Sequence, residues 1–430
     1  MEKVLIITYY WPPAGGPGVQ RWLKFVKYLR DFEIEPVVFI PENPSYPMLD
    51  NSLESEIPKE ITILKQPIFE PYQLAGLFSK DQTKTISKGI IAAEKNQSLL
   101  QKSLLFIRGN LFIPDARKFW IKPSVKFLKT YLEEEGIRKI ITTGPPHSLH
   151  LIGLKLKQEL DLKWIADFRD PWTQIGYHKK LKLTESSKKK HLSLERKVLN
   201  LADQIITTSF TTKAEFAEKT NKPISVITNG FDVERNEAQT NELDTKFSIS
   251  HIGSLLSERN PESLWKALAE LTKENISFAE DLELKLVGTV SEEVVTSIKK
   301  SVGLGDKLQL LGYVSHKQAI ALQQKSRLLL LIEINSKETR GIIPGKLFEY
   351  LMAKRPILAI GPQKWDVELI LNETGAGEYF QYSEKDKLKS LILSHYKRYK
   401  NGDGNFLMGD IQQYHRRNLT RKLASLIKNV

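Results

Sequence analysis

Lys346 and Glu349, in the stretch PGKLFEYLMA, stand three apart and so share one face of a helix that Gly345 and Lys346 open. Arg259, in SERNP, stands at the start of another. Each arrangement couples a cation to the N–H groups and partial positive charge of a helix N-terminus, a combination that stabilises charge developing on a phosphate leaving group. Glu349 adds a carboxylate suited to a pair of ribose hydroxyls, unless it is simply the partner of Lys346 in a helical ion pair. A second group of candidates lies earlier. His147 follows two prolines in TTGPPHS, at a helix start where the dipole keeps its ring neutral and ready to take a proton or bind a hydroxyl; capping and packing are the structural alternative. ADFRDPW ends an apolar strand with Asp167, Arg169 and Asp170. Charges placed there need partners or water. Either aspartate suits an acceptor hydroxyl and Arg169 a phosphate, or the three form a structural ion pair.

A third candidate is the loop in YYWPPAGGPGVQR, where Gly15, Gly16 and Gly18 lie between a strand and a helix. Such a loop lets backbone N–H groups approach an anion. It is not the dinucleotide fingerprint, because Arg21 occupies the place of the third glycine. The loop is expected to approach a diphosphate from the acceptor side, with a plain tight turn as the alternative.

These residues need elements to hold them. Val4–Ile7 read as a buried strand, and Trp22, Phe25, Val26 and Leu29 as one helix face. Lys139–Gly144, Lys163–Phe168 and Gln204–Ser209 read as further strands, with a helix over His147–Leu160. Apolar residues thin out over Asn229–Lys246, which reads as a linker. The pattern then restarts at Phe247 with a strand, a loop containing Gly253 and an amphipathic helix, with Asn260 as its cap and Pro261 in its first turn. This alternation predicts an α/β chain of two Rossmann-like domains, residues 1–235 and 236–404, with parallel sheets facing each other across a cleft. A basic helix over 405–430 is expected to pack back on the first domain. Binding loops in such sheets follow the C-terminal ends of the strands.

Composition narrows the class. A chain of 430 residues exceeds what one core usually serves, and 41% apolar residues suffice for two. With no cysteine, disulfides and a thiolate nucleophile are excluded, and a cytoplasmic setting is expected. The longest uncharged apolar run is Leu328–Ile332, far short of a membrane span. The net charge of +13 gathers in His178–His191 and Arg108–Lys129. The latter interleaves cations with Phe112, Phe119, Trp120 and Phe127, which suits an anionic membrane surface; a solvated basic face is the plainer reading. No helix-turn-helix, RNP or zinc pattern points to nucleic acid.

Taken together, YYWPPAGGPGVQR, TTGPPHS, ADFRDPW, VITNGFD, HIGSLLSERNP and PGKLFEYLMAKRPILAIG resemble, in order and spacing, a GT-B glycosyltransferase of the family 4 type, over nearly the whole chain. The resemblance implies a retaining transfer from a nucleotide sugar to a saccharide or lipid-linked saccharide, in cell-surface polysaccharide or glycolipid synthesis. It puts Arg259 where a phosphate-binding lysine is usual and matches Glu349 to the second glutamate of the family's Glu–seven residues–Glu motif. It implies donor contacts from Gly253, Gly345 and Lys346, with catalytic roles for Arg259, Lys346, His147 and Asp170. Two departures stand out: the motif's first glutamate is Gly341, and the arginine that often follows the first glycine of this domain is Ser254. Glu338 and Arg340, in the same loop as Gly341, are the candidates to reach the donor sugar instead. No D-x-D triplet occurs, so no metal or other cofactor is expected, with cations and helix ends neutralising the leaving group. A sugar-nucleotide epimerase of the same fold and a non-catalytic sugar-nucleotide binder are the alternatives.

Overall fold

The computed structural model describes residues 1–71, 99–174, 176, 181–232, 242–404 and 406–430. The boundary read between 235 and 236, half of the linker, residues 178–180 of the basic segment and residue 405 lie outside them. The chain divides into two compact units, Met1–Asn229 with Arg416–Val430, and Gly230–His415.

The first unit is built on seven parallel strands: β1 (Glu2–Ile7), β2 (Ile34–Pro41), β3 (Thr62–Gln66), β4 (Lys139–Gly144), β5 (Lys163–Phe168), β6 (Gln204–Thr207) and β7 (Ile224–Val226), in the order β3-β2-β1-β4-β5-β6-β7. Alternate residues of β1 enter different cores, Leu5 and Ile7 joining Ile140 on one face and Val4 and Ile6 joining Ile141 on the other. A strand buried on both faces must be apolar throughout, which is why Val4–Ile7 is an unbroken run. Helices α1 (Pro17–Leu29), α2 (Leu99–Leu111), α3 (Ile121–Glu134), α4 (Ser148–Glu159), α5 (Glu185–Leu201) and α6 (Phe210–Ala217) belong to this unit. Pro17 suits the first turn of α1, whose Trp22, Phe25, Val26 and Leu29 are all buried.

The second unit repeats the scheme with six parallel strands: β8 (Phe247–Ile252), β9 (Leu282–Val287), β10 (Leu308–Gly312), β11 (Leu328–Ile332), β12 (Ile357–Gly361) and β13 (Gly377–Gln381), in the order β10-β9-β8-β11-β12-β13. Its helices are α7 (Glu262–Glu274), α8 (Ile276–Asp281), α9 (Glu292–Lys300), α10 (His316–Lys325), α11 (Gly345–Ala353), α12 (Asp366–Thr374) and α13 (Lys385–Lys400). One detail departs from the sequence reading. Pro261, not Asn260, occupies the cap position of α7, and the Asn260 side chain instead accepts from Trp265 Nε1 at 2.7 Å. The indole N–H of a buried tryptophan needs an acceptor, and that demand takes the asparagine. The last helix, α14 (Arg416–Asn429), returns to the first unit: Leu419, Leu423 and Ile427 enter its core, and Lys139 Nζ donates to the Ile427 carbonyl at 2.6 Å. Among the described residues no helix is long and apolar enough to cross a membrane.

Strand order reverses between β1 and β4 in one sheet and between β8 and β11 in the other. Beyond the C-terminal ends of such neighbouring strands a crevice opens, because their connections leave in opposite directions.

Candidate functional site

In the second unit that crevice is formed by Gly253, which follows β8, by Glu333, which follows β11, and by the N-terminus of α11. Arg259 ends a short 3-10 turn, Ser257–Arg259, and reaches Glu333 with Nε and Nη2 at 3.1 and 3.0 Å from Oε1. Glu333 is buried at 1% exposure and also accepts from the Ile334 N–H at 2.8 Å. The guanidinium is held flat by a fixed carboxylate, and Arg259 Nη1 has no protein acceptor among the described residues.

Lys346 is the second residue of α11. Its ammonium lies 3.4 Å from Nε2 of His251, a fully buried residue of β8 whose Nδ1 is 2.9 Å from the Leu330 carbonyl. That carbonyl accepts only an N–H, so the proton sits on Nδ1 and the Nε2 lone pair is left for the lysine. Burial and the Lys346 charge push the His251 pKa down to about 3, so the ring is neutral. Lys346 itself falls to about 8, chiefly through desolvation and then through Arg259, with Glu333 and Glu349 opposing. The mutual effects of these four side chains place them in one neighbourhood. Lys346 also explains Gly253: with φ at +117°, a Cβ there would stand 2.7 Å from the ammonium. Only glycine leaves room for that approach.

Lys346 and Glu349 share a helix face but form no ion pair: Glu349 accepts from Gln323 Nε2 at 2.9 Å. Gly345 is exposed, with open space beside it at the first turn of α11. Glu338 is exposed and accepts from Ser336 in a 3-10 turn, and the Arg340 carbonyl accepts from the Asp366 N–H at 2.9 Å. The carboxylate that meets Arg259 is therefore Glu333, which the sequence reading passed over along with His251. The signal was present, since Glu333 is a charge ending the run LLLLI, the same feature that drew attention to ADFRDPW.

In the first unit the corresponding edge is rearranged relative to expectation. Asp167 is not available to an acceptor. It is fully buried, pairs with Arg21 at 2.9 Å, and accepts from Trp22 Nε1 at 2.9 Å and Thr143 Oγ1 at 2.8 Å. Although burial opposes ionisation, Arg21 and these donors together hold its carboxyl below the ordinary range. Its role is structural, tying α1 to β4 and β5, and Arg21 stands at the old third-glycine position for this reason. Arg169 donates to the Gly144 and Pro145 carbonyls and lies over the Tyr10 ring. A Cβ on Gly18 would meet its Nη1 at 1.7 Å, so Gly18 serves the close approach of Arg169 to the loop. Gly15 lies against Met48 and Asp50, and Gly16, at φ +105°, caps α1.

His147 caps α4, yet its helix end is already served, because Asp115 accepts from the Ser148 N–H and hydroxyl, each at 2.9 Å. The ring of His147 stacks on Trp172, 4.9 Å between centroids and 2° from parallel. Asp170 keeps exposed surface and has no hydrogen-bond partner among the described residues. Desolvation on its packed side raises its carboxyl against the pull of Arg169. Of the acceptor-side candidates it is the carboxylate left open to a substrate.

Residues 232–394, most of the second unit, match the model of the family described as glycosyl transferases group 1. Over that stretch the second unit is similar to this glycosyl transferase family. The chain as a whole has the GT-B glycosyltransferase fold. It is similar to Anabaena HepE in complex with UDP (14% identity, all of both chains, TM-score 0.59) and to a glycosyltransferase from Rickettsia africae (14%, all of this chain and 98% of that one, 0.58). It is also similar to WaaG, a glycosyltransferase involved in lipopolysaccharide biosynthesis (11%, 99% and 100%, 0.54). Among curated protein sequences none matches this chain. Within the second unit, the residues brought together are Arg259, Lys346, Glu349 and Gly253, joined by Glu333 and His251.

Proposed function

We propose that this glycosyltransferase moves a sugar from a nucleotide-sugar donor to a saccharide or lipid-linked saccharide with retention of anomeric configuration, in cell-surface polysaccharide or glycolipid synthesis on the cytoplasmic face of a membrane. The observation that carries the reading is the gathering of Arg259, Lys346 and the open N-terminus of α11 around Gly253 in the unit similar to group 1 glycosyl transferases. Two cations and a helix end at one strand crevice suit a diphosphate, whose charge grows as the glycosidic bond breaks. Glu349, one turn along α11, suits the ribose hydroxyls. Retention fits attack from the face the diphosphate leaves, its own oxygen taking the acceptor proton, so no protein nucleophile is required. Asp170, unpartnered and raised, suits the acceptor hydroxyl. Uridine diphosphate, held by HepE, is the first nucleotide to try.

The reaction is expected to run without added metal and with chelator present. The membrane reading is supported by an aromatic and basic patch: Phe119 at 44% exposure beside Phe69 and Phe112, with Lys118 over the Phe112 and Phe119 rings. The deciding experiment incubates the enzyme with a panel of UDP-sugars and saccharide acceptors in EDTA and reads the product anomer by NMR. An axial donor bond giving an axial product supports the proposal. An inverted product, or activity that returns only with manganese, refutes it.

A further inference from the structure

The opposite end of the second sheet carries a second concentration of positive charge. There, at the N-terminal ends of β8, β11 and β12, a pocket is lined by Arg327, Arg355, Arg398, His395, Tyr399 and Asp403, with Phe247 and Gly404 closing it. Among the described residues, three guanidiniums share this lining with a single carboxylate, and that one, Asp403, is taken by Arg398 at 2.9 Å.

Among the described residues, the Arg327 and Arg355 side chains donate only to carbonyl oxygens. Arg327 Nε donates to the Asp244 carbonyl at 2.8 Å and its guanidinium lies 5.1 Å from the Tyr399 ring centre. The Asp244 carboxylate does not neutralise it, being turned to Lys285 at 2.8 Å. Arg355 donates to the Ala353 carbonyl at the end of α11 and to the Gly404 carbonyl, at 3.3 and 3.4 Å. The two cations converge on Gly404, where a Cβ would lie 4.0 Å from Arg327 Nη1. Burial and then the Arg327 charge lower the Arg355 pKa, which registers the cost of bringing them together. Partly buried like charges without a counter-ion are unfavourable, and forked donors of this kind match a tetrahedral oxyanion. His395, pushed down to about 4 by burial and Arg398, is a neutral ring on the same wall.

We propose that this pocket is a second anion site, binding a phosphate group between the guanidiniums of Arg327 and Arg355. It stands at the far end of β8 and β11, the two strands whose C-terminal ends carry the candidate donor site, roughly 17–20 Å away along strands of this length. It is thus separate from the donor's diphosphate and open to a phosphate from elsewhere, either the free ion or the phosphate of a small metabolite.

Titration calorimetry on the full chain tests this, with inorganic phosphate and glucose 6-phosphate as probes. The expected result is saturable phosphate binding below ~10 mM. Arg327→Gln and Arg355→Gln should each weaken it about tenfold or more, the loss of a charge-assisted contact. Lys346→Ala, which empties the donor site of its lysine, should leave it unchanged. Tighter binding of glucose 6-phosphate than of phosphate supports a metabolite, and equal binding supports the free ion. If a glutamine variant fails to fold, Arg327→Lys and Arg355→Lys keep the charge without the fork and should still bind more weakly while melting like the parent. Absence of saturation, or binding that survives the arginine variants and disappears in Lys346→Ala, overturns the proposal.

Discussion

Lys346 is held in a state that a ligand can change. Desolvation and Arg259 bring its pKa to about 8, so near neutrality the ammonium is charged but not secured. A diphosphate arriving beside it raises that pKa, and binding then takes up a proton. The sign follows: donor affinity is full below about pH 8 and falls as pH rises through the free-state value, by up to about tenfold per unit until the bound-state value is reached. Calorimetry in buffers of different ionisation enthalpy should show proton uptake near pH 8, and Lys346→Ala should bind more weakly with a flat profile between pH 7 and about 9.5. A parent enzyme with no pH dependence in that range would mean that the lysine does not meet the phosphates.

At the scale of elements, the loop after β8 shows how backbone and charge were matched. Gly253→Ala puts a side chain into a left-handed conformation and against the Lys346 ammonium. It should cost about 1–2 kcal/mol of stability and, by displacing the lysine, raise donor KM by about tenfold while acceptor KM is unchanged; a thermal melt with two-substrate kinetics reads both. Elements with unbroken apolar runs or a clear helical period, such as β1, α1 and β11, were legible in the sequence. Strands β2, β3, β7 and β13 were not. β2 contains Pro36 and ends at Pro41, which argues locally against a strand, while β3 and β13 are edge strands and β7 has three residues. Lys346 and Glu349 were legible because their relation is local to one helix. The Arg259–Glu333 pair was not, since its members are 74 residues apart and meet only because β8 and β11 are neighbours. Asp167 was misread for the same reason: nothing near it in the chain shows that Arg21 and Trp22 turn onto it from α1.

Across the whole molecule, each unit buries a histidine that the fold keeps neutral. His150 in the first and His251 in the second are both pushed down to about 3, chiefly by desolvation. The unfolded chain protonates these rings near pH 6.5 and the native units do not. Each unit therefore loses stability as pH falls from about 6.5 toward 3, by up to ~1.4 kcal/mol per pH unit. Asp167, with a depressed pKa, adds to the loss at the acid end, as its carboxylate must be protonated away from Arg21. Urea unfolding between pH 7 and 4 should show this slope, and His251→Asn should reduce it in the second unit alone. Arg259, Lys346 and the Gly253 loop are proposed to cradle a donor's diphosphate. A crystal structure of the protein grown with a UDP-sugar tests this directly. Phosphate oxygens are expected within hydrogen-bond distance of Lys346 Nζ and Arg259 Nη1, at the first turn of α11, with Glu349 on the ribose. A nucleotide bound elsewhere, with those side chains untouched, would contradict it.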